Sequence, residues 1–543
     1  MEKEMFVIEF PLKVEKWQAD ILDKRYEHLR KIYNYAQGKL VRQYDYLTQM
    51  KEYRRHGFSK EYEGMLVERG YEKALRAIKA AKDQFFRNHP FHVSGVSDSS
   101  GKPMNITFSS FGIPGFIEKL ASHRIGADTT YGDLGINSII LGLLGKQLWS
   151  AWDRMINDPN TEKVSFKKYG ELNSFATRVK GKEGKKVSSG MNLYLDTMTL
   201  DIKVNGKTGR NAKFISLPIV YNLKHADYEM NALHGGLESI KVIKVLRRLV
   251  RGKYKYYLQL TIGDEKPQKG RQLGKGRVNI DLGLTKIAVY SDAGVMVRPL
   301  APSTEKIDHQ ILLVQRKMDR SRRANNPGYF NADGTIKELE KGERRRWMNS
   351  EEYKRLRMQK AELQRRQAAV RKQDHISLAN ELLKLGNLFV IEDNDVKEWQ
   401  QRKKEAIRRE EDGKNLSQAG FGKHVANHAP AMFVTILENK VKSLGGTLVK
   451  VDTNNGATEY DFTNDTFTKH DLTERYITLS DGKRHQRDTL AAFNLGFLNL
   501  DPQKKRSYNR ENMRGHYDRF CQMEEIALKS YRSQSAVGAV NNL

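Results

Sequence analysis

The sequence predicts a multidomain α+β protein with a helical N-terminal part, a small antiparallel β-barrel or sheet, and an α/β layer. Three observations predict it. Apolar residues recur every three or four positions through much of the first 160 residues, alternating and β-branched runs with glycine turns follow, and strands then alternate with amphipathic helices. At 543 residues the chain is too long for one compact core, and roughly three to four units are expected.

The segment MFVIEFPLKV, within residues 1–14, reads as a short strand. Helical spacing follows over 15–162: Trp17, Ile21, Leu29, Tyr33, Ala36, Leu40 and Leu47 form one stripe. EKALRAIKAAKDQFFRN and SIILGLLGKQLWSAWDRMI continue the pattern around the turn-rich VSGVSDSSGKPMN. Over 163–268 the runs NLYLDTMTLDIKVNGK, AKFISLPIVYN and LESIKVIKVLRRLVRGKYKYYLQLTIGD predict the barrel or sheet, with hairpin turns at Asn205-Gly206 and Arg251-Gly252. MFVIEF is expected as its first strand, cut off from the others by the helical insertion.

After the polar linker EKPQKGRQLGKGR, strands are expected at Val278 to Ile280 and Ile287 to Tyr290. A helix, HISLANELLKLG, ends at Gly386; NLFVIED is a strand; AMFVTILENKVKSLGG is a helix ended by Gly445 and Gly446; TLVKVD is another strand. This order gives an α/β layer over 275–452. It is interrupted by a basic helical insertion, 303–375, in which Leu356, Leu363 and Val370 fall seven apart. So narrow a stripe suits a helix with one partner.

Charge narrows the function. Ninety-five Lys and Arg against 66 Asp and Glu give a formal +29, an excess that points to a polyanionic partner. No apolar run reaches about 18 residues and MEKEMFVIEF lacks a signal-peptide pattern, so a soluble, cytoplasmic protein without a membrane partner is expected. The single cysteine, Cys521, excludes an internal disulfide and a cysteine-rich zinc site within one chain.

The chemistry lies in three separated acids. Asp281 interrupts the apolar run VNIDLGLTKIAVYS, Glu392 closes NLFVIE, and Asp488 opens DTLAAFNLGFL. Taken singly, Glu392 could open a solvated loop and Asp488 could be a helix N-cap. Together, at strand and helix ends of one layer, they form a set that cannot all ionise in one cleft without cations. Two Mg2+ ions would neutralise them and clamp a phosphodiester.

IDLGLTKIAV, VIEDNDVKEW and HQRDTLAAFNL resemble the three motifs of the split RuvC-like nuclease domain, of RNase H-like fold, found in TnpB nucleases and the compact type V CRISPR effectors. RKMDRSRRANNP with NADGTIK, and ILENKVKSLGG with VKVDT, resemble connecting segments of that family. The resemblance implies catalytic, metal-binding roles for Asp281, Glu392 and Asp488, and a contact from Arg487 to the scissile phosphate. Asp393 and Asp395 fall outside the catalytic position. It further implies a recognition lobe at 15–162, a wedge-type barrel at 163–268, a last RuvC segment at 488–520 and a C-terminal tail at 521–543. The implied activity is RNA-guided cleavage of both strands of duplex DNA beside a short flanking motif, with a guide RNA, target DNA and Mg2+ as partners and one or two chains on one RNA. Relatives often carry a zinc ribbon between residues 452 and 488; here that stretch has no cysteine. His470 and His485 cannot complete a tetrahedral site, so no zinc is expected and 453–487 is read as a metal-free segment binding the target strand.

Other readings remain open. IDLGLTKIAV also resembles the phosphate loop of actin-like ATPases, although VDTNNGAT makes a poor second loop. A transposon-encoded or guide-independent nuclease, and a guided DNA binder without cleavage, share most of these features.

Overall fold

The computed structural model describes residues 5–124, 129–178, 180–182, 185–187, 190–221, 226–264, 267, 272–340, 343–396, 399, 407–408, 415–416, 422–471, 474–501, 504 and 506–540. The chain divides into two compact units, Met1–Pro267 and Gln268–Leu543.

In the first unit the strand Met5–Leu12 pairs antiparallel with Lys253–Gly263, from Met5 opposite Gly263 to Leu12 opposite Tyr256. It thus joins its sheet across the helical insertion. The four-stranded sheet continues through Ile240–Val250 to Ser174–Arg178. Arg251 and Gly252, both at positive φ, make the two-residue turn between its long strands. Asn205-Gly206 behaves differently. It belongs to a longer loop between Thr199–Lys203 and Phe214–Pro218. The glycine lies against Asp133, where a Cβ would come within 2.8 Å of backbone. Close approach, not a tight turn, is why a glycine stands there.

The described residues of this unit show that antiparallel four-stranded sheet, a three-stranded one bridged to it where Leu12 pairs with Ile219, and the two-stranded pair Lys180–Lys182 and Lys185–Val187. The helices and both sheets bury one continuous core, from Phe6 to Ile262. The helix Lys16–Gln49 contributes Leu22, Tyr26, Leu29, Ile32, Tyr33, Ala36, Leu40 and Leu47. The expected stripe was off at its first residue: Trp17 is exposed, while Ile21 packs partly buried against the core beside the fully buried Leu22.

The second unit is built on a five-stranded mixed sheet in the order Gly294–Pro299, Lys286–Ser291, Arg277–Leu282, Leu388–Glu392, Thr447–Val451. The first three are antiparallel and the last three parallel. One face packs Val278, Ile280, Leu282, Phe389 and Ile391 under the helices Glu351–Leu382 and Pro430–Ser443. The other packs Ala288 and Tyr290 against Phe493 and Phe520 of the helices Arg487–Gly496 and Arg510–Val540.

Two expected boundaries fall inside helices. HISLANEL is the last part of the single 32-residue helix Glu351–Leu382, so residue 375 does not end the insertion. Its first half packs Tyr353, Leu356 and Leu363, with Val370, on Ile307, Ile311, Val314 and Met318 of the helix Glu305–Asn325, which supplies the one partner that the heptad stripe demands. Nor is residue 521 the start of a tail, because the helix Arg510–Val540 runs through it.

Candidate functional site

Strand alternation decides where Asp281 goes. Val278, Ile280 and Leu282 fill one core, so Asn279 and Asp281 take the opposite face, beneath the helix Arg487–Gly496. Across the hairpin Asp281 pairs with Ala288, a small neighbour that leaves its carboxylate room. The turn that follows is tight: Gly283 N–H donates to the Lys286 carbonyl at 3.0 Å, and a Cβ on Gly283 would meet that oxygen at 2.9 Å.

Glu392 arrives by register. The parallel pairing of Ile280 with Ile391 sets Asp281 and Glu392 side by side at the carboxyl ends of neighbouring strands. Between these two strands the sheet order reverses, the position at which open α/β sheets bind ligands. Glu392 is half-buried and accepts from Asn455 Nδ2 at 3.1 Å, so it is no solvated loop residue; Asp393 and Asp395 beside it are exposed.

Asp488 lies in the first turn of its helix, but it is not the cap. Gln486 is the N-cap, accepting from Thr489 N–H at 2.9 Å, and its Nε2 donates to Asp488 Oδ2 at 2.9 Å. Lys286 Nζ lies 2.7 Å from the same oxygen and Arg487 Nε 3.5 Å from the other. Beneath this turn Glu524 of the last helix accepts from Gln486 N–H at 2.9 Å, His485 Nδ1 at 2.7 Å and the Thr489 hydroxyl.

Electrostatics link the three acids. Burial, and then the charges of Asp488 and Glu392, hold Asp281 well above the usual carboxylate range, against the pull of Arg487 and Lys286. Burial likewise raises Glu392, with the Asn455 hydrogen bond offsetting part of the rise. At Asp488 burial also pushes upward, but Lys286, Gln486 and Arg487 together leave it below the usual value. The cluster is therefore short of positive charge at Asp281 and Glu392.

All three predicted acids, and Arg487, thus gather at one end of the sheet. They are not closed around a point: among the described residues no group of three His, Cys, Asp or Glu side chains is close enough to hold an ion. The donor set itself, carboxylate oxygens only, suits a hard cation such as Mg2+ and not zinc.

The residues missed from sequence are Lys286, Asn455 and Glu524. Lys286 falls inside the quoted motif IDLGLTKIAV, five residues after Asp281, where its odd parity relative to Asp281 across the turn could have marked it. VDTNNG holds a carboxylate rather than a phosphate: its turn Thr453–Asn455 presents Asn455 to Glu392. In 453–487, Tyr460–Asp461 pairs with Thr466–Phe467 and Tyr476–Thr478 with Arg484–Gln486. Tyr460 stacks on Tyr508 with ring centroids 4.2 Å apart, Phe462 is buried, and His470 pairs with Glu474 at 3.0 Å.

No described helix is long and apolar enough to cross a membrane. No family model matches the sequence, and no curated protein does. Among solved structures, a Cas12f1–sgRNA–target DNA complex is similar at 12% identity, covering 92% of this chain and 99% of that one, with a TM-score of 0.45. A CRISPR-Cas12f ternary complex shares 12% identity over 91% and 99%, with a TM-score of 0.28. CasPhi-2 (Cas12j) bound to crRNA and phosphorothioate-DNA shares 9% over 93% and 92%, with a TM-score of 0.26. Over most of its length the chain is thus similar to these three Cas12 complexes.

Proposed function

We propose that the chain is an RNA-guided, Mg2+-dependent DNA endonuclease with a single RuvC-like site, of RNase H-like fold, that cuts both strands of a target duplex. The observation that carries this reading is the gathering of Asp281, Glu392 and Asp488 at the point where the sheet order reverses. Three carboxylates there, two of them raised by burial, call for cations, and the chain carries +29 with which to hold nucleic acid.

In this reading the three acids hold the metal. When bound, Mg2+ supplies the Lewis-acid charge that stabilises the attacking and leaving oxygens of a phosphodiester. The chain's own groups do the rest. Gln486 and Glu524 fix the turn that presents Asp488; Asn455 orients Glu392; and Arg487, in the first turn of its helix, meets a phosphate where helix N–H groups also favour anions. The helices of 15–162 serve as a recognition lobe, the sheets of 163–268 as the wedge that grips the RNA, and 453–487 as a platform for the target strand. The order of helical, β and α/β segments along the chain supports the first two assignments, and the paired, aromatic-bearing strands of 453–487 support the third.

The test is cleavage of a matched duplex by the chain loaded with the RNA that co-purifies with it, identified by sequencing. Asp281→Ala and Glu392→Ala should abolish cutting and leave RNA binding unchanged. Cutting at the normal rate by either variant sinks the site, and purification without RNA sinks the guided part. The Lys286 ammonium on Asp488 favours one second reading, a guided binder that does not cut. Absence of cleavage by the wild-type complex across millimolar Mg2+, with target binding retained, would select it.

A further inference from the structure

A cleft of about 480 Å3 opens on the basic insertion of the second unit, within the range of about 300–1,000 Å3 usual for small-ligand sites. Arg322 of the helix Glu305–Asn325, Trp347 and Asn349 of the connecting segment, and Tyr353, Arg357 and Lys360 of the helix Glu351–Leu382 form its wall. The Arg322 guanidinium lies 5.0 Å from the Trp347 ring centroid and 5.1 Å from that of Tyr353, and it donates to the Tyr353 hydroxyl. Its Nε is buried without a hydrogen-bond partner. Tyr329 and Phe330 brace the indole from the side, at 5.4 and 5.8 Å.

Charge in the cleft is one-sided. The three acids in the first half of the same helix are taken up by neighbours three residues on: Glu351 by Lys354, Glu352 by Arg355 and Glu362 by Arg365. No acid lines the cleft, while three cations do, Arg322, Arg357 and Lys360. Flat π surfaces beside cations fit a ligand that is flat at one end and anionic at the other.

We propose that this cleft captures one unpaired nucleotide of a bound strand, with its base on the Trp347–Arg322–Tyr353 wall and its phosphate between Arg357 and Lys360. The proposal deepens the nuclease reading and rests on it only in requiring that a nucleic acid strand be bound. An RNA strand and a DNA strand offer the same chemistry, so the test must separate them.

The full-length chain, in its RNA complex, is photocrosslinked in two arms. In one the RNA carries 4-thiouridine; in the other a target DNA strand carries 4-thiothymidine. Peptide mass spectrometry then maps the adducts. One arm should give adducts within residues 345–360, which names the strand, and Trp347→Leu should remove them. Arg357 and Lys360 project from the helix surface, so Arg357→Glu with Lys360→Glu should melt like the parent protein. That variant should bind the captured strand about tenfold more weakly and flatten the slope of log affinity against log salt by about 1.4, the value for two single-strand phosphate contacts. Strands that bind with all adducts elsewhere, or with unchanged affinity in the double variant, overturn the cleft assignment alone. Failure of both strands to bind overturns the nuclease reading and the cleft with it.

Discussion

Lys286 sits on the same sheet face as Asp281 and places its ammonium 2.7 Å from Asp488, so without divalent ions it shares with Arg487 the compensation of Asp488 and, more weakly, of Asp281. Lys286→Ala should therefore cost about 1–3 kcal/mol of stability in chelator, as expected for breaking a half-buried pair on one side. Millimolar Mg2+ should recover much of it by binding only the folded state. Melting curves with and without Mg2+ check this, and a variant that Mg2+ leaves unimproved would show that the acids hold no ion. A second titratable group gives a pH signature. Burial lowers the pKa of His375, packed 5.8 Å from the Phe433 ring, against a partial rise from the backbone of His428 and Ala429. A depressed histidine favours the folded state while neutral, so its contribution is complete above its unfolded value of about 6.5 and is lost as pH falls through the folded one. Urea melts from pH 7.5 to 5 should show that loss, reduced in His375→Leu. At this scale the three acids were legible because each breaks or closes an apolar run. Lys286 offered only its parity across the turn, and Asn455 offered nothing, since an asparagine in a polar loop looks ordinary until packing brings it to a carboxylate.

The helix Arg510–Val540 supports the site from below. It buries Met513, Tyr517 and Phe520 in the core that also holds Ala288 and Phe493, and its Glu524 accepts three hydrogen bonds from the turn around Asp488, from His485 and Gln486 before it and Thr489 after it. Glu524→Ala would leave buried donors on Gln486 and His485 unsatisfied, while the Thr489 hydroxyl keeps the Gln486 carbonyl, at a cost of about 2–4 kcal/mol. Because that turn presents Asp488, cleavage should fall as well, and Glu524→Gln, which keeps an acceptor, should regain part of both. Equal losses in the two variants would argue for a charge requirement rather than for hydrogen bonding. The elements themselves were mostly readable, since periods near 3.6 and 2 persist where one face is buried. Their ends were not. Nothing in RKQDHIS marks a break, so one helix runs from the insertion into the sheet core, and the strand Gly294–Pro299 escaped notice because a short edge strand begun by glycine and ended by proline carries little pattern.

For the whole molecule, charge and topology answer separate questions. The +29 balance was legible from composition alone and concerns affinity; it carries no information about chemistry. The shared core of helices and sheets in the first unit was not legible, because a stripe shows which face is buried and not against what. The separation between affinity and chemistry is itself testable. If the basic surface binds nucleic acid through phosphates, affinity should fall by about 10³–10⁵ between 50 and 200 mM salt for six to ten contacts on a duplex, with a linear dependence of log affinity on log salt. Asp281→Ala removes a carboxylate from the site without touching that surface, so its slope should match the parent's while cutting disappears. A chain working as an actin-like ATPase would behave otherwise: it would hydrolyse ATP without nucleic acid, and its turnover would lack that salt slope. Filter-binding and cleavage measured in parallel on both proteins separate the two. An Asp281→Ala slope that differs from the parent's would place this acid on the binding surface instead of in the site.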